Sequence, residues 1–332
     1  MIDISVVVPI FNEEDSIELL VSRLEAALMS TGRTYEVVLV DDGSTDNSWG
    51  KMVTLSGKHP GLHLIRFRRN FGQTAAMSAG FHEARGDIII TMDADLQNDP
   101  SDIPLLLTEV DKGFDVVSGW RRNRKDTFIN RRLPSIIANS LISNITGVHL
   151  HDYGCTLKAY RKEIVQNIQL YGELHRFIPA LASWVGGQIS EVEVSHHPRQ
   201  FGKSKYGIGR TVKVILDLVT VKFLLRYSTR PIHIFGKWGL NFGMLGILML
   251  MFMAGANLSH RFFDTEFCAD LIKRPFWVIT PFMLLFFGLQ FISIGLLAEI
   301  QIRTYHEAQE KPIYVIRETV EPAEIPRGSL KS

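Results

Sequence analysis

Two stretches of this chain, 238–258 and 275–298, contain no Asp, Glu, Lys or Arg. At about 1.5 Å per residue, a helix over either one can cross a hydrocarbon core of about 30 Å. Buried core helices of that length without an ionisable residue are unusual, so the back of the chain reads as a transmembrane hairpin. Arg226, Arg230 and Lys237 precede it, and Arg303, Lys311 and Arg317 follow it. The connecting loop, 259–274, balances Arg261, Lys273 and Arg274 against Asp264, Glu266 and Asp270. The excess of Lys and Arg at the outer ends predicts both ends on the cytoplasmic side and a short external loop. Gly239 and Gly243 form a GxxxG, which suits either close helix packing or self-association, so a homo-oligomer through these helices stays open.

These spans explain a mean hydropathy of +0.08 in a chain with 21% charged residues. The 36 basic and 35 acidic side chains nearly cancel, which argues against a wholesale nucleic-acid binder. Hydrophobic residues at 46% exclude a mainly disordered chain. Cys155 and Cys268 lack disulfide or metal-site spacing and read as small buried or neutral residues. Met1-Ile2-Asp3 has no basic n-region, so no signal peptide is expected.

The front of the chain alternates two periodicities. Residues 4–10, 35–40, 62–67, 87–92 and 115–118 are apolar runs of strand length, rich in Val and Ile. Helical candidates occupy 13–30, 45–56, 73–84 and 101–112. This pattern predicts an α/β fold: a Rossmann-type, mostly parallel sheet covered on both faces, with ligands bound beyond the carboxyl ends of its strands. Three of those strand ends are acidic. The first strand runs into Asn12-Glu13-Glu14, the second into Asp41-Asp42-Gly43-Ser44-Thr45-Asp46, and the fourth into Asp93-Ala94-Asp95-Leu96-Gln97. Asp42 and Asp46 also suit turn and N-cap roles. Several acidic strand ends on one sheet edge repel each other unless a cation joins them. Asp93-x-Asp95 offers two hard oxygen ligands fit for Mg²⁺ or Mn²⁺, which could neutralise a nucleotide diphosphate as a leaving group. Rival phosphate motifs fail: Gly202-Lys203-Ser204 lacks the first Walker glycine, where His197 stands, and Gly207-x-Gly209 meets Val212 at its third glycine position.

Four ordered segments carry a resemblance. They are Val8-Pro9-Ile10-Phe11-Asn12-Glu13-Glu14, Val40-Asp41-Asp42-Gly43-Ser44-Thr45-Asp46, Arg69-Asn70-Phe71-Gly72-Gln73 and Asp93-Ala94-Asp95-Leu96-Gln97-Asn98-Asp99-Pro100. Together they resemble family 2 glycosyltransferases, and more narrowly the polyprenyl-phosphate hexosyltransferases. The likeness continues through Asp152-Tyr153-Gly154-Cys155, Phe201-Gly202-Lys203-Ser204-Lys205-Tyr206 and the double span, up to about Arg317. It implies a GT-A-like fold. It also implies a nucleotide-sugar pocket at Pro9, Phe11, Glu13, Asp41 and Asp42, with Asp42 facing the base and Asp93 on the ribose or sugar side. Asp95, with Gln97 and Asp93, would hold metal and diphosphate. The Gln-x-x-Arg-Trp motif of processive synthases is absent, which favours a single sugar transfer.

Arg121, Arg122, Arg124, Lys125, Arg131 and Arg132 form one basic cluster, and His196, His197, Arg199, Lys203, Lys205 and Arg210 another. Attraction to anionic lipid accounts for such clusters at about 1 kcal/mol per residue, and this is the preferred reading for Arg122, Arg124 and Lys125. The resemblance instead places Arg121, Arg131 and Ser135, with Arg199 or Lys205, at the acceptor phosphate. Arginine's planar fork suits that role. Segments 133–145 and 210–226 have the spacing of amphipathic helices able to lie on the bilayer. The first could equally pack on the sheet.

The expected organisation is a cytoplasmic transferase domain at 1–205, an interface helix and linker at 206–233, the hairpin at 234–300 and a polar tail at 301–332. The expected reaction joins a nucleotide sugar to a membrane polyprenyl phosphate in one inverting displacement. UDP-glucose and undecaprenyl phosphate are the first choice of substrates. 4-Amino-arabinose transfer or a dolichyl-phosphate mannose synthase type of activity is second. Asp95 and Arg121 are the expected catalytic groups. Asp152 is either a base or sugar contact, or the anchor of the Tyr153-Gly154 turn. The rival from another class is a membrane-anchored nucleotide-sugar-binding scaffold without turnover. A plasma (inner) membrane location follows from the double span and the choice of acceptor.

Overall fold

The computed structural model describes residues 2–122, 139, 142–144, 146–168, 170, 174–198, 200, 232–263, 274–308, 313–323 and 325–328. The chain divides into two compact units, Met1–Val221 with Pro312–Ser332, and Lys222–Lys311.

The first unit is built on strands β1 (Ile4–Ile10), β2 (Tyr35–Asp41), β3 (Leu62–Phe67) and β4 (Ile88–Thr91), which pair in parallel in the order β3-β2-β1-β4. Every residue of β2 is buried, and all but one of β1, because helices cover both faces. That is why the strands read as continuous apolar runs rather than alternating ones. Helices α1 (Ile17–Met29), α2 (Ser48–Ser56), α3 (Gln73–Glu83) and α4 (Ile103–Asp111) make the crossovers. On α1, Ile17, Leu20, Val21, Leu24 and Leu28 form the buried stripe that a 3.6-residue period dictates.

Beyond β4 the sheet continues through the strand expected at 115–118 and through further elements the sequence did not disclose. Strand β5 (Val116–Trp120) does not pair with β4. Strand β6 (Lys158–Arg161) inserts between them, antiparallel to both. Helices α5 (Lys162–Gln166) and α6 (Ile178–Trp184) lead to β7 (Ile189–Glu193), parallel to β5 at one edge. At the other edge lies β8 (Ile316–Val320), antiparallel to β3. Part of the expected polar tail is therefore an edge strand of the sheet. Its Ile-Arg-Glu-Thr-Val sequence is largely exposed, so it carries little apolar signal. The expected start of α1 at residue 13 is also corrected: residues 12–16 form a loop at the functional edge before the helix begins.

The second unit is a helical hairpin, α7 (Ile232–Phe263) and α8 (Pro275–Ala308). Its segments Phe235–Phe262 and Pro275–Ala298 are long and apolar enough to cross a membrane. Leu240, Met244, Phe282 and Phe286 project outward, as side chains bathed in lipid tails would. A Cβ on Gly288 would come within 2.8 Å of the Gly239 carbonyl oxygen and 3.0 Å of the Gly243 nitrogen. Of the two uses open to the GxxxG, the structure displays close packing inside the hairpin.

Candidate active site

The carboxyl ends of β1 and β2 are laced together by short polar side chains. Asn12, at φ 53°, donates its N–H to Ser44 Oγ at 3.0 Å and accepts the Thr45 N–H on Oδ1 at 2.8 Å. Glu13 N–H donates to Ser48 Oγ at 3.0 Å, and Glu14 Oε2 accepts the Asn47 N–H at 3.1 Å. Pro9 and Phe11 are half-buried beside this loop. Asp41 is fully buried; its Oδ1 accepts the Ser44 N–H at 3.0 Å and its Oδ2 lies 3.4 Å from Arg66 Nε.

Asp42 is the tether of the next loop. Its Oδ1 accepts the Phe71 N–H at 2.7 Å, and its Oδ2 accepts the Gly72 N–H and Asn70 Nδ2, each at 2.9 Å. Burial outweighs these bonds and pushes its carboxyl up to about 6. Both carboxylate oxygens of Asp42, expected to face the base, accept hydrogen bonds from the 70–72 segment. Gly43, at φ +69°, lets the loop sit this close: a Cβ there would fall 2.4 Å from the Arg69 carbonyl carbon. Gln73, at the end of the same loop, donates Nε2 to Asp93 Oδ1 at 2.7 Å. One turn, 69–73, therefore joins the Asp42 and Asp93 sides of the edge.

Asp93 follows β4, and its carboxyl is pushed up to about 6 by burial and then by the Asp95 carboxylate. The Gln97 N–H donates to Asp95 Oδ1 at 3.1 Å, with Leu96 at φ 60° between them. Among the described residues no group of three or more His, Cys, Asp or Glu gathers to hold an ion. Asp93 and Asp95 repel each other as carboxylates, and with the Gln97 side-chain carbonyl they would supply oxygen donors. That fits Mg²⁺ or Mn²⁺, which complete their shells with phosphate oxygens and water.

Arg121 and Asp152 form a buried pair, Nε to Oδ2 at 2.7 Å and Nη2 to Oδ1 at 3.0 Å. The Nε and Nη2 edge of the guanidinium expected at the acceptor phosphate is paired with Asp152. Although burial works against its charge, the Asp152 carboxylate holds Arg121 firmly protonated. Asp152 Oδ1 also accepts the Gly154 N–H at 3.1 Å, so the turn-anchoring reading is the one on display. Lys158, which the sequence reading missed, lies buried beneath this turn. Its Nζ donates to the Tyr153 carbonyl at 3.2 Å and to the Cys155 carbonyl, while burial lowers its pKa. A lysine opening a four-residue strand gives no sequence signal for such a place. Cys155 is buried, as expected; Cys268 lies outside the described residues.

The start of the second basic cluster docks on the loop that follows Asp95. Asn98 bridges His196, and the His197 N–H donates to the Gln97 carbonyl at 2.8 Å. Arg131, Ser135, Arg199 and Lys205, with most of 133–145 and all of 210–226, lie outside the described residues.

An α/β sheet with a D-x-D turn at the carboxyl end of a central strand defines a GT-A-like sugar-nucleotide transferase architecture. Solved structures of glucosyl-3-phosphoglycerate synthase from Mycobacterium tuberculosis share the fold. The complex with Mn²⁺, UDP and phosphoglyceric acid has a TM-score of 0.54 at 19% identity, covering 67% of this chain and 78% of that one. Residues 5–169 match Glycosyl transferase family 2. A dodecaprenyl-phosphate galacturonate synthase of Rhizobium johnstonii is 46% identical over 96% of this chain and 93% of its own length. An undecaprenyl-phosphate 4-deoxy-4-formamido-L-arabinose transferase of an Enterobacter species is 37% identical over 99% of this chain and 95% of its own. The chain belongs to glycosyl transferase family 2, in its polyprenyl-phosphate branch.

Proposed function

We propose that this protein transfers a sugar from a nucleotide sugar to a membrane polyprenyl phosphate, releasing nucleoside diphosphate. The observation that carries the reading is the Asp93-x-Asp95 turn at the sheet edge, in a chain whose relatives match it almost end to end. The acceptor phosphate is anionic near neutral pH and needs little base assistance. One of its oxygens attacks the anomeric carbon as the bond from that carbon to the diphosphate breaks, so the configuration inverts. A divalent ion would supply charge neutralisation on the departing diphosphate. The protein's own contribution is alignment: the 12–14 and 44–48 loops shape the nucleotide side, Asp93 and Asp95 would hold the ion, and the Arg121–Asp152 pair fixes the 152–155 turn. Arg131, Ser135, Arg199 and Lys205 are retained as the phosphate contacts of the acceptor.

Both relatives named above act on sugars other than the expected glucose, so the proposed donor is shifted to UDP-galacturonate, with UDP-glucose and the UDP-linked formamido-arabinose as the other arms of a donor panel. The proposed site of action is the inner membrane, with the transferase unit and both chain ends in the cytoplasm. Asp95→Ala is expected to lower Mn²⁺- or Mg²⁺-dependent transfer by at least about a hundredfold, the scale of losing one preorganised charge contact, while membrane insertion is unchanged. Unimpaired turnover would sink the metal assignment.

A further inference from the structure

The edge strand supplied by the C-terminal segment begins close to the loop that carries the site, with Ile316 opposite Phe67. Phe67, the last residue of β3, stacks on Tyr314 with ring centroids 5.1 Å apart and planes 14° apart. Phe71 meets the same Phe67 edge-on, at 5.7 Å and 87°. The Arg68 N–H donates to the Val315 carbonyl at 3.1 Å, so residues 314 and 315 hold both ring and backbone where β3 turns into the 69–73 loop. Tyr314 and Phe67 are buried. From there the contacts run directly to the two carboxylates: the Phe71 amide on Asp42, and the Gln73 side chain on Asp93. The Arg69 guanidinium lies over the Phe71 ring, 4.0 Å from its centroid.

We propose that Tyr314 is a positioning residue for the nucleotide site: through Phe67 and Phe71 it fixes the 69–73 loop, and with it Asp42 and Asp93. The segment after the membrane hairpin is thereby a working part of the transferase site and not a dispensable tail. Aromatic pairs contribute beyond the area they bury, and their favoured geometries are the offset stack and the T-shape found here. Loss of the Tyr314 ring frees Phe67 to tilt into the vacated space and lets Phe71 follow.

The proposal rests on reading the Asp42–Asp93 edge as the nucleotide site, and two measurements on the full-length protein in detergent separate the claims. Hydrogen exchange at the Phe71 and Gly72 amides reports loop position without any ligand. Tyr314→Ala, and Tyr314→Leu as the bulk-preserving alternative, should speed exchange there about three- to tenfold, with Tyr314→Phe close to wild type. The second measurement is UDP binding in the presence of Mn²⁺, which the same two variants should weaken by a similar factor while the KM for polyprenyl phosphate stays put. Unchanged exchange in folded Tyr314→Leu overturns the proposal. So does faster exchange with undiminished UDP affinity. Faster exchange in a protein whose wild type binds no UDP supports the strap and refutes the nucleotide reading instead.

Discussion

Asp42 and the Arg121–Asp152 pair sit in environments unlike that of an exposed side chain. Burial raises the Asp42 carboxyl to about 6, above the value of about 3.9 for an unfolded aspartate. Between those values the folded state binds more protons than the unfolded one, so stability from this group is full below about pH 4 and falls as pH rises through about 6. Asp42→Asn should therefore flatten the decline of melting temperature across that window relative to wild type, measured without metal or nucleotide; parallel curves would contradict it. Arg121→Met would strand the Asp152 carboxylate, whose side chain is only 4% exposed. A loss of about 3–5 kcal/mol in denaturant unfolding is expected, most of it recovered when Asp152→Leu is added. A loss under 1 kcal/mol would mean the pair is solvated and the Arg121 fork is free for phosphate. The D-x-D turn and its strand were legible because Ile-Ile-Ile-Thr followed by acids is a local pattern. The engagement of Asp42 with 70–72, and of Arg121 with Asp152, was not, because each joins residues about thirty apart through tertiary packing.

At the level of elements, the parallel core was legible almost to the residue. β1, β3 and the start of α3 match the expected runs because buried strands must be continuously apolar. The missed strands have the opposite character. β6 is four residues with Lys158 and Arg161 at its ends, β7 is partly exposed along its length, and β8 is an exposed edge. Strands of that kind are defined by their partners and not by their own composition. The hairpin carries its own test. Gly288→Ala would place a methyl group 2.8 Å from the Gly239 carbonyl oxygen, a backbone atom that cannot turn aside as a side chain would. A loss of about 1–3 kcal/mol is expected, the usual cost of overpacking, seen as a lower melting temperature in detergent. No change would mean that the two helices do not meet through these glycines.

For the whole molecule, near-neutral charge and slightly positive hydropathy are averages over unlike parts: acidic strand ends, basic segments beyond them and an uncharged hairpin. This composition suits a reaction with one substrate in water and the other anchored in lipid. In the proposed reaction a long prenyl chain stays in the bilayer while its phosphate reaches the nucleotide sugar. The most direct measurement is transfer itself. Purified full-length protein is incubated with polyprenyl phosphate and each radiolabelled donor of the panel, in Mn²⁺ or in EDTA, and lipid-extractable label is counted. The account predicts a polyprenyl-phosphate sugar from one donor in Mn²⁺ and none in EDTA. Nucleotide binding without lipid-linked product from any donor, or equal transfer in EDTA, would contradict it.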